Sequence, residues 1–137
     1  MLSADDKIAI QELILREYRA IDRHDPAGKG SFFLEDGVQK VYGHIRRGRK
    51  DIVEATAAHM ATGAEDGARH IITNFVVDET PGGAEISGMV VKFRIDRKPV
   101  EIAGYADLRA DVVRAQGKWM IKQLDLEITG SAHVAAR

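Results

Sequence analysis

The apolar residues of this chain keep two different periods. Near the N-terminus they recur at three- and four-residue steps: Ile10, Ile14 and Tyr18 stand one above another, Leu13 and Ile21 widen the stripe, and Asp22 completes the row. That spacing places one side of an α-helix against a core. Ser3 followed by Asp6 has the form of a capping box, with Asp in place of the usual Glu or Gln. Pro26 disfavours helical geometry at Asp25, so the helix is predicted to end between Arg23 and Asp25. "GKGSFFLEDG" predicts a short helix or turn around Phe32–Leu34, closed by Asp36-Gly37, and "VQKVYGHI" predicts one strand. "RKDIVEATAAHMAT" returns to the helical period, with Ile52, Ala55, His59 and Met60 along one side.

After Gly67 the period becomes two. "RHIITNFVVD", "AEISGMVVKFRI", "VEIAGYADLRADVV" and "KWMIKQLDLEI" read as strands, separated by turns at "PGG", "DRKP" and "AQG". Turns this short make the run an antiparallel meander. In the third strand Val100, Ile102, Ala106 and Leu108 face one way, and Glu101, Tyr105, Asp107 and Arg109 the other. In the fourth, the apolar phase slips between Ile121 and Leu124, as a β-bulge requires. Gly88 and Gly104 interrupt strand interiors and mark bends. The prediction is an α+β chain in which a strongly curved, mainly antiparallel sheet wraps around N-terminal helices. No repeat, low-complexity stretch or linker divides it, so residues 1–137 are expected to form a single domain.

One strand carries unexpected chemistry. His70, Ile72, Asn74 and Val76 share one face of "RHIITNFVVD", and Ile71, Thr73, Phe75 and Val77 share the other. Both faces hold large apolar residues, yet one of them holds an imidazole and an amide.

Composition narrows the chemistry. A net charge of −1 provides no overall field for nucleic acid or an anionic membrane. The basic run "RRGRK" lacks interleaved aromatics and reads as a solvated strand-to-helix loop. The absence of cysteine excludes disulfides and thiolate chemistry and removes the best zinc ligand. His44, His59, His70 and Asp22 show no local ligand spacing, so neither a metal nor another cofactor is expected. The N-terminus has no basic n-region and no apolar run of signal length, and no segment approaches transmembrane length. The expectation is a soluble, cytoplasmic protein.

Each candidate residue has two readings. Asp22 occupies the last turn of a helix, where the dipole favours a cation. It is either solvated within "DRHD" or turned inward along the Ile10–Ile14–Tyr18 row, where an unpaired charge would be costly. His70 either bonds to backbone at a strand start or supplies that partner. A carboxylate on one imidazole nitrogen would fix the tautomer and leave the other as an acceptor. Tyr18 and Tyr42 are core aromatics or phenols that hold a substrate oxygen. His59 is a core histidine or part of a pocket lining. Asn74 bonds to backbone or to a ligand oxygen, and Ile14 and Ile72 would line the site.

The landmarks "YRAID", "FFLEDG", "GRKDI", "RHIITN", "GYAD" and "GKWMI" occur in this order. With them the chain, over residues 5–129, resembles the nuclear transport factor 2-like superfamily, and more narrowly its SnoaL-like and scytalone-dehydratase-like members. The resemblance implies a cone-shaped, cystatin-like roll with an apolar pocket at one end. In dehydratases and dehydrochlorinases of this group, an Asp ending the first helix pairs with a His heading a strand, and the His takes a proton from the substrate. The matching positions here are Asp22 and His70, with Asn74 one step deeper on the same face. Steroid isomerases of this fold carry an Asp on the first strand, and the segment around Val41 and Tyr42 has no carboxylate. The expected function is a cofactor-free lyase or isomerase, dehydratase- or cyclase-like, acting on a hydrophobic oxygenated small molecule. The alternative is a non-catalytic binding or assembly domain. Val91, Phe93 and Ile95 make a strand apolar where solvent would favour polarity, which predicts a homodimer through the outer sheet face. No nucleic-acid or membrane partner is expected.

Overall fold

The computed structural model describes residues 1–131. Its elements are α1 (Ala4–Asp22), α2 (Pro26–Gly30), β1 (Phe33–Val41), β2 (His44–Arg47), α3 (Arg49–Ala61), β3 (Ala68–Thr80), β4 (Gly83–Arg94), β5 (Glu101–Ala115) and β6 (Lys118–Ser131). Residues 132–137 of the expected domain lie outside the described residues.

The capping box of α1 forms as the sequence predicts. Ser3 Oγ accepts from the Asp6 backbone N–H, and the Asp6 carboxylate accepts from the Ser3 N–H, both at 3.0 Å. Asp6 also accepts from Arg114 at 2.7 Å and from the Trp119 indole at 3.3 Å, which ties the helix start to the β5–β6 hairpin. At its other end α1 stops where His24 turns into the left-handed region, at φ 56°.

Two local expectations are corrected. The short helix lies at Pro26–Gly30, and Phe33 already begins a strand. Asp25 caps that helix by accepting from the Gly28 N–H at 2.9 Å, and Pro26 occupies its first turn, where a missing N–H costs nothing. Gly30 allows α2 to press on α3, since a Cβ there would fall 2.3 Å from a Val53 methyl carbon. Residues 38–45 form two strands, not one: Tyr42 (φ 54°) and Gly43 (φ 77°) make a tight hairpin turn between β1 and β2.

The six strands form one open, curved, mixed sheet in the order β2-β1-β6-β5-β4-β3. β3 to β6 are the predicted antiparallel meander. β1 runs parallel to β6 and carries β2 at the edge. The predicted slip in β6 is a bulge: Asp111 pairs with Gln123 and Val112 with Ile121, leaving Lys122 unpaired. A similar bulge leaves Ala103 unpaired, so Ile102 pairs with Phe93 and turns outward rather than joining Ala106 and Leu108 inside.

A third bulge overturns the expected placement of Asn74. Asn74 and Phe75 together oppose Gly88, and Asn74 adopts φ 60°, a region Asn tolerates better than most residues. The strand's faces exchange there. Phe75 and Val77 pack on the core below Ile72, and Asn74 is exposed. Gly88 makes room for this: a Cβ there would lie 3.0 Å from the Phe75 ring.

The helices and the inner sheet face enclose a core built on Ile10, Ile14, Phe33, Ile52, Ile86, Leu108, Ile121 and Leu124. Burying each such side chain contributes roughly 1.5–3 kcal/mol. On the outer face, Ile71, Val91 and Tyr105 lie side by side across β3, β4 and β5, with Phe93 and Ile102 next to them. Ile71, Ile102 and Tyr105 are exposed there.

Candidate active site

The C-terminal end of α1 meets the start of β3, and two side chains join them. Asp22 Oδ1 bonds His70 Nδ1 at 2.6 Å, and Asp22 Oδ2 accepts from the His70 backbone N–H at 3.2 Å. One carboxylate thus holds both the strand backbone and the ring it carries. Next to a carboxylate, Nδ1 is the nitrogen that carries a proton, and the ring is held with Nε2 turned away from Asp22. Both side chains are largely buried. In its neutral form, an imidazole anchored in this way through Nδ1 is a proton acceptor at Nε2 in a fixed orientation.

Tyr18 stands one helical turn before Asp22, with its ring centroid 5.3 Å from that of His70 and the planes tilted by 50°. Burial, reinforced by the negative charges of Glu17 and Glu65, raises its phenol well above the ordinary value. Tyr18 therefore remains a neutral hydroxyl that can donate to a substrate oxygen.

The Nε2 side of His70 faces a second carboxylate. Glu65, in the turn between α3 and β3, is 5% exposed, and its Oε2 lies 3.8 Å from His70 Nε2. Its Oε1 is fully occupied: it bonds His59 Nε2 at 2.9 Å and accepts from Lys92 Nζ at 3.0 Å. Lys92 also donates to the Ala64 carbonyl at 3.0 Å. Burial alone would push the Glu65 carboxyl up. The His59 hydrogen bond and the charges of Lys92 and His70 outweigh it and hold the group at about 2. Glu65 is therefore ionised, and its buried Oε2 has no hydrogen-bond partner.

A second polar group lies deeper, beneath α2. Glu17 is 1% exposed and neither of its carboxylate oxygens has a hydrogen-bond partner; the Lys29 ammonium stands 3.8 Å away. Lys29 donates to Gln39 Oε1 at 3.2 Å and to Thr56 Oγ1 at 3.1 Å, and Arg46 also donates to Gln39 Oε1 at 3.0 Å. Burial raises Glu17 to about 6, against the pull of Lys29 and His70. Burial likewise lowers Lys29.

The fold thus brings together Asp22, His70 and Tyr18, with Ile14 and Ile72 packed in the core beside them. It does not bring the others to the same place. Asn74 is turned out by its bulge. Tyr42 is 64% exposed in the hairpin turn. His59 is not on a buried apolar side; its side chain is 46% exposed and reaches the site only through Glu65. Charged groups also stand beside the dyad: Glu65 lies 3.8 Å from His70 Nε2 and pairs with Lys92. A cleft of about 420 Å³ lies at the other end of α1, between Asp6, Glu79, Arg114 and Trp119. It is a surface groove around the capping box, and neither Asp22 nor His70 borders it.

Glu17 had a signal in the sequence: it interrupts the apolar stripe between Ile14 and Tyr18. Lys92 follows Val90 on the inward face of β4 and could have been read the same way. Glu65, in a turn without periodicity, had none.

The sequence matches the SnoaL-like domain family over residues 3–125, and the chain belongs to that family. No curated protein sequence matches it. Among solved structures it is similar to a protein of unknown function with a cystatin-like fold from Nostoc punctiforme, at 24% identity, with 93% of each chain covered and a TM-score of 0.85. It is also similar to a nuclear transport factor 2-like protein from Novosphingobium aromaticivorans, at 23% identity over 96% of this chain and 88% of that one, with a TM-score of 0.82. A third, provisionally named a scytalone dehydratase and from the same organism, shares 21% identity over 88% of this chain and 82% of that one, with a TM-score of 0.73. These likenesses establish the nuclear transport factor 2-like, cystatin-like fold. Among the described residues no helix is long and apolar enough to cross a membrane.

Proposed function

We propose that this protein is a cofactor-free lyase or isomerase of the dehydratase or cyclase kind, acting on a small oxygenated molecule with a hydrophobic body. His70 is the base. The observation that carries this reading is the 2.6 Å contact of Nδ1 with Asp22, which fixes the ring and, in its neutral form, leaves the lone pair on Nε2. Nε2 takes a proton from carbon next to a carbonyl, and Asp22 stabilises the resulting imidazolium. The Tyr18 phenol donates to the carbonyl oxygen as it gains charge. In a dehydration the imidazolium returns its proton to a departing β-hydroxyl: the C–H and C–O bonds break, a C=C bond forms, and water leaves. A positioned acid–base group of this kind typically contributes about 10²–10⁴-fold. The family membership and the likeness to a provisionally named scytalone dehydratase support the reaction class.

The test uses an α-tetralone carrying a hydroxyl group β to its carbonyl, which yields fluorescent α-naphthol on losing water. In heavy water the same probe reports proton abstraction directly, as deuterium uptake at the α carbon followed by NMR. The wild-type protein should catalyse exchange or dehydration, and folded His70→Gln should do neither. Activity surviving in folded His70→Gln would remove His70 as the base, and none in the wild type would favour the non-catalytic binding or assembly reading.

A further inference from the structure

We propose that the α3–β3 turn, residues 62–67, is a gate over His70, closed in this structure by the Glu65 side chain and bolted by Lys92. This rests on His70 being the base.

The dyad is out of reach as it stands. Both side chains are largely buried, and the cleft at the far end of α1 touches neither. Asp22 covers Nδ1. Glu65 Oε2 stands 3.8 Å from Nε2, too far for a hydrogen bond and too close for a ligand atom between them. A base that acts on a small molecule must be uncovered, so one of its neighbours has to move. Two of them are fixed by packing: α1 buries Ile10, Ile14 and Tyr18 in the core, and β3 is laddered to β4 from Ala68 to Thr80. The turn is not, because none of its residues belongs to the apolar core. A segment with few buried apolar contacts opens at low cost.

Polar contacts hold the turn in place, and Lys92 is the main grip. Its ammonium donates to the Ala64 carbonyl and to Glu65 Oε1, both at 3.0 Å. His59 bonds the same oxygen, and His24 bonds Asp66 at 3.1 Å. His24 and His59 are exposed and Lys92 is half-buried, so water can take the place of the turn at each of them. Glu65 Oε2 has no donor in the closed form, and opening hydrates it. Gly63 at φ 80° and Gly67 at φ 65° bracket the moving residues, and glycine changes φ more freely than any other residue. The Gly67 carbonyl stays bonded to the Ile95 N–H at 2.8 Å, which fixes the hinge at that end, while the 3.2 Å bond from the Ala68 N–H to the Glu65 carbonyl breaks. Rotation of residues 64–66 about these two points carries the Glu65 carboxylate away from Nε2, while α1 keeps Asp22 and Tyr18 against the ring.

Diethyl pyrocarbonate acylates an accessible, unprotonated imidazole nitrogen, so it reads access to His70 without any substrate. At His70 that nitrogen is Nε2, since Asp22 holds Nδ1. Peptide mass spectrometry follows each histidine, with exposed His44 as the internal standard, and rates are compared at the plateau of their pH profiles so that protonation does not enter. In the wild type His70 should react at least about tenfold more slowly than His44, because reaction waits on local opening. Lys92→Met loses both grips; it should speed His70 about tenfold and leave His44 unchanged, as expected when a charge-assisted hydrogen bond is lost from the closed form. His24→Cys combined with Asp66→Cys allows the turn to be tied to the end of α1. The chain has no cysteine of its own, so a short bis-thiosulfonate joins this pair alone and a reductant frees it. The bridge should slow both His70 acylation and deuterium exchange of the hydroxylated tetralone about tenfold or more, and the reductant should restore both. This arm decides the matter if Lys92→Met does not fold. A wild-type His70 as reactive as His44, or a His70 whose reactivity ignores both changes, overturns the gate. If the bridge protects His70 from acylation while deuterium exchange continues, or the wild type catalyses no exchange, the base assignment falls and the control of access to His70 stands.

Discussion

Replacing Glu65 by Gln should destabilise the fold by an amount that depends on pH in a specified direction. In the folded protein the carboxyl sits at about 2, against an ordinary 4.5. A depressed value means that the ionised form is bound more favourably in the native state than in the unfolded chain. The associated stability is present above pH 4.5 and is lost as pH falls through 2. The shift of 4.5 − 2, about 2.5 units, corresponds to about 3 kcal/mol. Glu65→Gln cannot ionise and forfeits this contribution. The stranded partners limit the additional loss, because the Lys92 and His59 side chains are 24% and 46% exposed and can regain water. Urea unfolding of both proteins at several pH values between 7 and 3 measures the difference. It should be about 3 kcal/mol near neutrality and shrink steadily on the acid side of pH 4.5. A difference that stays constant down to pH 3 would mean that Glu65 is not held as an ion by His59 and Lys92, and the geometry of its free oxygen would lose its basis.

Glu17 should behave in the opposite sense: raised from 4.5 to about 6, it contributes stability that is complete below pH 4.5 and lost as pH rises through 6. The span of about 1.5 units is worth about 2 kcal/mol, and Glu17→Gln should remove that slope from the unfolding profile; a slope unchanged in the variant would refute the assignment. The short Asp22–His70 contact predicts a far-downfield imidazole N–H resonance that vanishes in Asp22→Asn while the backbone spectrum stays folded; its persistence would place the proton elsewhere. For the outer face we propose a homodimer, with Ile71, Val91 and Tyr105 at its centre. Wild type should sediment as a dimer at micromolar concentration and Tyr105→Asp as a monomer, whereas a monomeric wild type would refute it.

The periodicity of the chain determined much of this structure by itself. The stripe Ile10–Ile14–Tyr18 specifies α1 and its buried side, Ser3 with Asp6 specifies its start, and the change to a period of two specifies the meander. Even the bulge at Lys122 was legible, because a slip between Ile121 and Leu124 has no other meaning in a strand buried on one face. Such signals are local: they state which way a side chain points relative to its own element. They placed Asp22 on the inner side of a helix and His70 at the head of a strand, and the family resemblance suggested that the two should meet.

Tertiary structure decided what faces what. The parallel pairing of β1 with β6 joins segments far apart in the chain, and no periodicity within either one encodes its partner. The bulge at Asn74 reverses the strand's faces, and Phe75 takes the inward position because Gly88 leaves space for its ring on the neighbouring strand. Tyr42 left the strand because Gly43 beside it completes a tight turn. Glu65 is the extreme case. It sits in a turn between α3 and β3, and three charged or titratable partners, His59, Lys92 and His70, come to it from three separate elements. A carboxylate acquires its ionisation and its aim from that surrounding charge, and this exists only once the helix and the two strands have packed around it.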